Sequence, residues 1–97
     1  MKFAPQTDVE VLIEDEVVVD DVKLYSIVVF NDEVNTFDHV IDTLIDVCEH
    51  SQEQAEQCTL IIHFKGKCAV KNGDFDELKP IRNAICQRGI SAEILLR

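Results

Sequence analysis

Asn31, Asp32 and Glu33 set one amide and two carboxylates side by side, directly after the β-prone run Val28-Val29-Phe30 and just before a helical pattern that opens near Phe37. Carboxylate and amide oxygens accept hydrogen bonds, and the bonds are strongest when the donor is charged. Beside an apolar wall, such a loop suits a ligand that carries an ammonium group next to a hydrophobic side chain. The same residues also make an ordinary strand-to-helix turn, because Asn and Asp side chains bond nearby backbone groups. Composition leaves both readings open. Phe37, Val40 and Ile62 are candidate walls, and as apolar helix residues they equally suit a core.

The other chemistry-bearing residues are three histidines and four cysteines. His63 follows the apolar Ile62 in the last turn of a predicted helix. There it either complements the negative end of the helix dipole or offers a hydrogen-bonding group at a pocket mouth, if it faces the 31–33 loop. His39 shares a charged helix face with Asp42 and reads as a solvated surface residue; His50 reads as a linker between helices. Cys48, Cys58, Cys68 and Cys86 match no zinc or CxxC spacing, and free Cys commonly behaves as a small buried hydrophobe, so they read as inert core thiols. There is no GxSxG, P-loop or HExxH motif. Neither an activated nucleophile nor a metal set is visible, and no catalytic activity, metal or cofactor is expected.

Seven acids and one lysine fall within residues 1–22, a net charge of −6 out of −10 for the 97-residue chain. This acidity disfavours nucleic-acid and anionic-membrane partners, which call for basic patches. No apolar run approaches the roughly 20 residues that span a bilayer, and the N-terminus does not read as a signal peptide. The expected compartment is the cytoplasm. Consecutive acids interrupt the apolar runs at 9–13 and 17–19, so residues 1–22 are expected to be an acidic, flexible extension and residues 23–97 one folded domain.

Within that domain, Leu24 to Phe30 is predicted as a strand. Phe37, Val40, Ile41, Leu44 and Cys48 recur at helical spacing and predict a helix to Glu49, capped by Asn35 or Thr36. Ser51 and Gln54 form a capping-box pattern for a second helix ending at Gly66, with Ala55, Cys58 and Ile62 as its stripe, widened by Leu60 and Ile61. Lys67 to Lys71 reads as a strand stopped by the turn dipeptide Asn72-Gly73. A third helix opens at Asp74 to Glu77, with Pro80 expected in or near its first turn, and Ile90 to Leu96 reads as the last strand. The order β-α-α-β-α-β predicts an α+β fold: a three-stranded, mainly antiparallel sheet with three helices packed on one face.

The loop, His63 and this order of elements together resemble the ClpS family, adaptors of bacterial ATP-dependent Clp proteases. The resemblance covers about residues 23–97. Three blocks in register carry it. Val29-Phe30-Asn31-Asp32-Glu33 stands where the family reads apolar, aromatic or apolar, Asn-Asp-Asp. Phe37-Asp38-His39-Val40-Ile41 follows, then Ile62-His63-Phe64-Lys65-Gly66-Lys67-Cys68, where the family reads close to V-H-x-x-G-K/R. The resemblance implies a fold like the C-terminal domain of the ribosomal stalk protein. It implies a non-enzymatic adaptor that binds proteins beginning with Leu, Phe, Tyr or Trp and delivers these N-degron substrates to a Clp AAA+ unfoldase of the ClpA or ClpC kind. By position, Asn31, Asp32, Glu33 and His63 would receive the substrate's α-amino group. Val29, Asn35, Phe37, Val40, Thr59, Ile62 and Ala92 would surround its side chain, with Phe37 as gatekeeper. The acidic extension would engage the unfoldase.

The chain departs from the family pattern at Glu33, where Asp is usual, and at Asn35-Thr36-Phe37, which replaces Thr-Pro-Met. A short deletion falls near the third helix. Thr59 and Ala92 are smaller than the Met and Leu often found there, which implies a larger pocket behind a narrower, aromatic gate, favouring large aromatic N-termini over Leu. The rival expectation is a ClpS-fold regulator of the unfoldase that does not bind N-degrons.

Overall fold

The computed structural model describes residues 24–97; the acidic extension predicted over 1–22 lies outside the described residues. Six elements follow in the order β1 (Tyr25–Phe30), α1 (Phe37–Cys48), α2 (Gln52–Lys65), β2 (Lys67–Gly73), α3 (Phe75–Gln87) and β3 (Ala92–Leu96). β1 is the central strand, antiparallel to β2 on one side and to β3 on the other. Side chains alternate across a strand, so Ile27 and Val29 face the helices, and their partners Ile94 and Ala92 on β3 share that face. Ile27, Leu44, Leu78 and Ile85 are fully buried between sheet and helices. This is the α+β arrangement that the element order predicts.

α1 begins where Thr36 accepts the His39 N–H at 3.1 Å and ends at Glu49, which takes a left-handed conformation. Ser51 caps α2 by accepting the Gln54 N–H at 3.1 Å. The stripe of α2 is narrower than predicted. Ala55, Thr59 and Ile62 are buried, whereas Leu60 and Ile61 look outward at 39% exposure each. α2 stops at Gly66, whose φ of 91° lies in the region where a Cβ is costly.

Two expectations are revised. Asn72 and Gly73 do not turn; they continue β2 opposite Ser26 and Tyr25. The Ser26 hydroxyl donates to Asn72 Oδ1 at 2.8 Å. A Cβ at Gly73 would stand 2.6 Å from Glu77 Oε1, so a side chain there would displace the carboxylate that completes the α3 capping box with Asp74. Pro80 falls in the second turn of α3, not the first. The Asp76 carbonyl that loses its helical donor is on an exposed residue, as is Pro80, so water can satisfy it.

The β1–β2 register shifts between Ile27 and Val28, leaving Val70 as the extra residue of a bulge. The freed Val70 carbonyl accepts a hydrogen bond from His50 Nε2 at 2.7 Å. His50 is therefore a buried residue that seals the bulge, not a mere linker. The cysteines also depart from a uniform core reading: Cys48 is buried, Cys58 and Cys68 are half-buried, and Cys86 is exposed.

Candidate functional site

The loop after β1 is pinned from two sides. Phe30 N–H donates to the Ser91 carbonyl at 3.0 Å, and Asn31 N–H donates to the Gly66 carbonyl at 2.8 Å. The loop thus meets the α3–β3 turn and the α2–β2 turn at one edge of the sheet. Its next residues are shaped by Asp32. Oδ1 of Asp32 accepts the backbone N–H groups of Val34 and Asn35, both at 2.9 Å. The Asn35 side-chain amide donates to Oδ1 at 3.1 Å and Oδ2 at 2.8 Å, and to the Gly89 carbonyl at 2.9 Å. The Asn35 N–H, joined by the Val34 N–H and the Asn35 amide, holds the Asp32 carboxyl below the ordinary carboxylate range, with partial burial opposing.

His39, predicted as a solvated surface residue, instead donates from Nε2 to the Arg88 carbonyl at 2.8 Å. It adds a second tie between the start of α1 and the end of α3. Arg88 also pairs with Asp46, in the last turn of α1, at 3.2 Å.

The three consecutive polar residues therefore divide their tasks. Asp32 builds the loop, and Oδ2 keeps room for a further donor. The side chains of Asn31 and Glu33 are exposed and have no hydrogen-bond partner among the described residues. His63 is likewise exposed and unbonded, at the end of α2. Its ring is oriented by edge-on contacts with Phe37 at 5.1 Å and Phe64 at 5.0 Å between centroids, which leave its nitrogens available.

Between these groups opens a cavity of about 380 Å³, within the size range of small-ligand sites. Asn31, Asp32, Glu33 and His63 line it, together with Val29, Asn35, Phe37, Val40, Thr59 and Ile62. Phe37 is 43% exposed, while Val29, Val40, Thr59 and Ile62 are all at least nine-tenths buried. The Thr59 hydroxyl donates to the Ala55 carbonyl at 2.8 Å, which turns its polar atom into the helix. Ala92 is the exception: it pairs with Val29 in the sheet and does not line the cavity. Ile90, just before β3, does so in its place, with Phe30 and Thr36 completing the lining. Residues 90 and 92 share a parity along the chain, and that shared parity is the signal by which Ile90 could have been found.

The profile of the family described as ATP-dependent Clp protease adaptor protein ClpS matches residues 20–93. The chain belongs to the ClpS family. Curated ClpS relatives include ATP-dependent Clp protease adapter proteins of Nitratidesulfovibrio vulgaris strain Miyazaki F, 32% identical over 74% of this chain and 72% of the relative, and of Oleidesulfovibrio alaskensis, 31% identical over 80% and 75%. The adapter of Campylobacter jejuni is 39% identical over 45% of this chain and 46% of its own. In structure the chain resembles Agrobacterium tumefaciens ClpS2 bound to L-phenylalaninamide, with a TM-score of 0.66, 18% identity, and coverage of 77% of this chain and 98% of that one. The likeness extends the family assignment to the ClpS fold. Among the described residues, no group of three or more His, Cys, Asp or Glu is placed to hold a metal ion, and no helix is long and apolar enough to cross a membrane.

Proposed function

We propose that this ClpS-family adaptor reads the free N-terminus of proteins that begin with a bulky hydrophobic residue and delivers them to a Clp AAA+ unfoldase. One observation carries the reading: an apolar cavity whose mouth presents unengaged acceptors on Asn31, Glu33 and His63. An α-ammonium group has three N–H donors. Asn31 Oδ1, a neutral ring nitrogen of His63 and a carboxylate oxygen of Glu33, or the spare capacity of Asp32 Oδ2, can accept them. The attached side chain then enters between Val29, Val40, Ile62 and Ile90. L-phenylalaninamide, the ligand of the Agrobacterium structure, has this same chemistry, a free α-amino group beside an aromatic side chain.

Phe37 stands at the rim with its ring against His63, and Thr59 forms part of the wall. An aromatic gate before a cavity with a small wall residue favours Phe, Tyr or Trp over Leu. Ala92 lies outside the lining, so this preference rests on Thr59 and Phe37 alone.

The test is fluorescence anisotropy with short labelled peptides beginning Phe, Tyr, Trp, Leu or Ala, each free and N-acetylated. Acetylation removes the charge and two of the donors, so binding of the bulky set should be abolished by it. An N-terminal Leu peptide bound as tightly as Phe would overturn the aromatic preference. A folded protein that binds none of them would leave only a regulator of the unfoldase. Delivery is read separately, as faster degradation by a Clp unfoldase–protease of a reporter with an N-terminal Phe.

A further inference from the structure

The two edges of the sheet are treated differently. β2 is blunted by its bulge, by His50 on the Val70 carbonyl and by Lys67 and Lys71, which are the usual devices against strand addition. β3 has neither a bulge nor a proline. Its ladder fixes which of its backbone groups face outward. Phe30 N–H donates to the Ser91 carbonyl at 3.0 Å and Arg97 N–H to the Leu24 carbonyl at 2.9 Å. Glu93 and Leu95 stand opposite Val28 and Ser26 in the same alternation. These residues therefore bond β1, and the N–H and C=O groups of Ala92, Ile94 and Leu96 point away from the sheet. The Ala92 carbonyl meets Cys86 Sγ at 3.6 Å. The outward groups of Ile94 and Leu96 have no partner among the described residues. Large apolar side chains flank them: Leu96 is 72% exposed and Leu95 38%.

We propose that β3 pairs antiparallel with β3 of a second copy of this chain, joining the two sheets into one, in the register that sets Ile94 opposite the partner's Leu96. Two-fold symmetry makes each cross-strand pair occur twice, so every outward N–H and C=O of Ile94 and Leu96 is bonded. On the open face of the sheet, Glu93 falls opposite the partner's Arg97, and Arg97 opposite the partner's Glu93. Between them Leu95 meets its own symmetry mate at a closely spaced position, with Cα atoms about 4.5 Å apart. Neighbouring registers lose this match. Centring the pair on Ile94 sets Glu93 opposite Leu95 and draws on the Ala92 carbonyl, where Cys86 already sits. Centring it on Leu96 sets Leu95 opposite Arg97. The self-complementary charge pattern thus selects a second copy over an arbitrary strand. Few residues pair on each side, so the interface falls below the roughly 1,200 Å² of stable complexes and association is weak and concentration-dependent. The paired residues lie at the end of β3, whereas the cavity opens near Ile90, before its start. Pairing covers none of the cavity lining, and the inference stands without the ligand reading.

The experiment is sedimentation equilibrium of the full chain over a range of concentrations, at about 0.15 M salt, where a Debye length of about 8 Å limits the repulsion between chains of net charge −10. The expected result is a monomer–dimer equilibrium. Glu93→Arg and Arg97→Glu should each weaken self-association about tenfold, because like charges then face each other at both pairs. Glu93→Arg also lowers the net negative charge, so general repulsion alone predicts the opposite change. Mixing the two variants should restore dimers, since each supplies the charge that the other lacks. Leu96→Pro removes an outward N–H without touching the β1 ladder and should abolish dimers, with circular dichroism checking the fold; should it unfold, the charge reversals decide. A protein that stays monomeric up to about 1 mM overturns the proposal and leaves the β3 edge to another strand, such as the 9–13 run of this chain or a different protein. Dimers that neither charge reversal nor Leu96→Pro weakens lie elsewhere and overturn it equally. Weakened variants that fail to re-associate on mixing overturn the register.

Discussion

The adjacent carboxylates Asp32 and Glu33 should differ in what their removal costs: stability and affinity for Asp32, affinity alone for Glu33. Asp32→Ala deletes the acceptor for two backbone N–H groups and for the Asn35 amide, which also ties the loop to Gly89. A hydrogen bond to a charged group contributes about 1.5–3 kcal/mol when buried, but water can replace much of that in a partly exposed loop. A net loss of about 1–2 kcal/mol is the reasonable scale, which lowers Tm by roughly 5–15 °C in a domain of this size. Peptide affinity should fall as well, because the freed loop must be reordered at a cost of about 1–2 kcal/mol for each residue refixed.

Glu33→Gln removes an exposed charge with no partner among the described residues, so stability should stay within about 0.5 kcal/mol of the parent. Its effect should appear only on the ammonium ligand. At about 4 Å in a water-like medium a charge pair contributes about 1 kcal/mol, a five- to sixfold change in affinity that shrinks as salt is added. The assay is thermal denaturation of both variants with peptide anisotropy at low and high salt. Equal Tm losses in the two variants, or an Asp32→Ala protein as stable as the parent, would refute this division of labour. The pH dependence checks it again. The folded Asp32 pKa is depressed, so its contribution is present above the unfolded pKa and is lost as pH falls through the folded one. Asp32→Ala should therefore flatten the acid limb of the stability curve below about pH 4.

His63→Ala should weaken binding of an N-terminal Phe peptide by about 1–3 kcal/mol with little change in Tm, since His63 is exposed and makes no hydrogen bond among the described residues; unchanged affinity would return it to a helix-end role. Pro80→Ala should stabilise the fold by roughly 1–2 kcal/mol in urea titration, because it restores a donor to the second turn of α3 at an exposed position and the gain in helix propensity exceeds the added unfolded-state entropy; a loss of stability would mean that the Pro80 ring is needed. Burial pushes the Cys48 thiol up to about 11, so the unfolded chain ionises first as pH rises. This thiol's contribution to stability should fall by about 1–3 kcal/mol between roughly pH 8.5 and 11, and Cys48→Ala should remove about half of the alkaline slope, since burial also pushes the Cys68 thiol up to about 11.

The fold was legible because its elements carry local signals that agree with their packing. Phe37, Val40, Leu44 and Cys48 keep a helical period, and Thr36, Ser51 and Gly66 mark ends that the structure uses. What was hidden depends on contacts far apart in sequence. Asn72-Gly73 has turn composition, yet both residues pair with Ser26 and Tyr25 of β1, where the Ser26 hydroxyl also bonds Asn72. His50 looks like a linker until the β1–β2 bulge frees the Val70 carbonyl above it. His39 looks solvated because its partner is a backbone oxygen 49 residues away. In the site, residue types alone identified the polar cluster, but not that Asp32 is committed to the loop while Glu33 is free.

α2 departs most from its predicted pattern, and its end reaches the site. Its apolar residues do not form one stripe: Ala55 and Ile62 enter the core while Leu60, Ile61 and Phe64 point outward. The same helix walls the cavity through Thr59, Ile62 and His63, and His63 stands between the Phe37 and Phe64 rings. The topology explains why this end meets the 31–35 loop. β1 is central and antiparallel to both neighbours, so its end at Phe30 lies beside the start of β2, and Val29 lies beside the start of β3. The connections leaving β1, α2 and α3 are thereby forced to one edge of the sheet, although their residues are dozens of positions apart. A cavity at that edge draws walls from three separate stretches held by Asn31–Gly66, Phe30–Ser91 and Asn35–Gly89 hydrogen bonds. Shifting any one of the three connections therefore displaces the acceptors relative to the apolar wall.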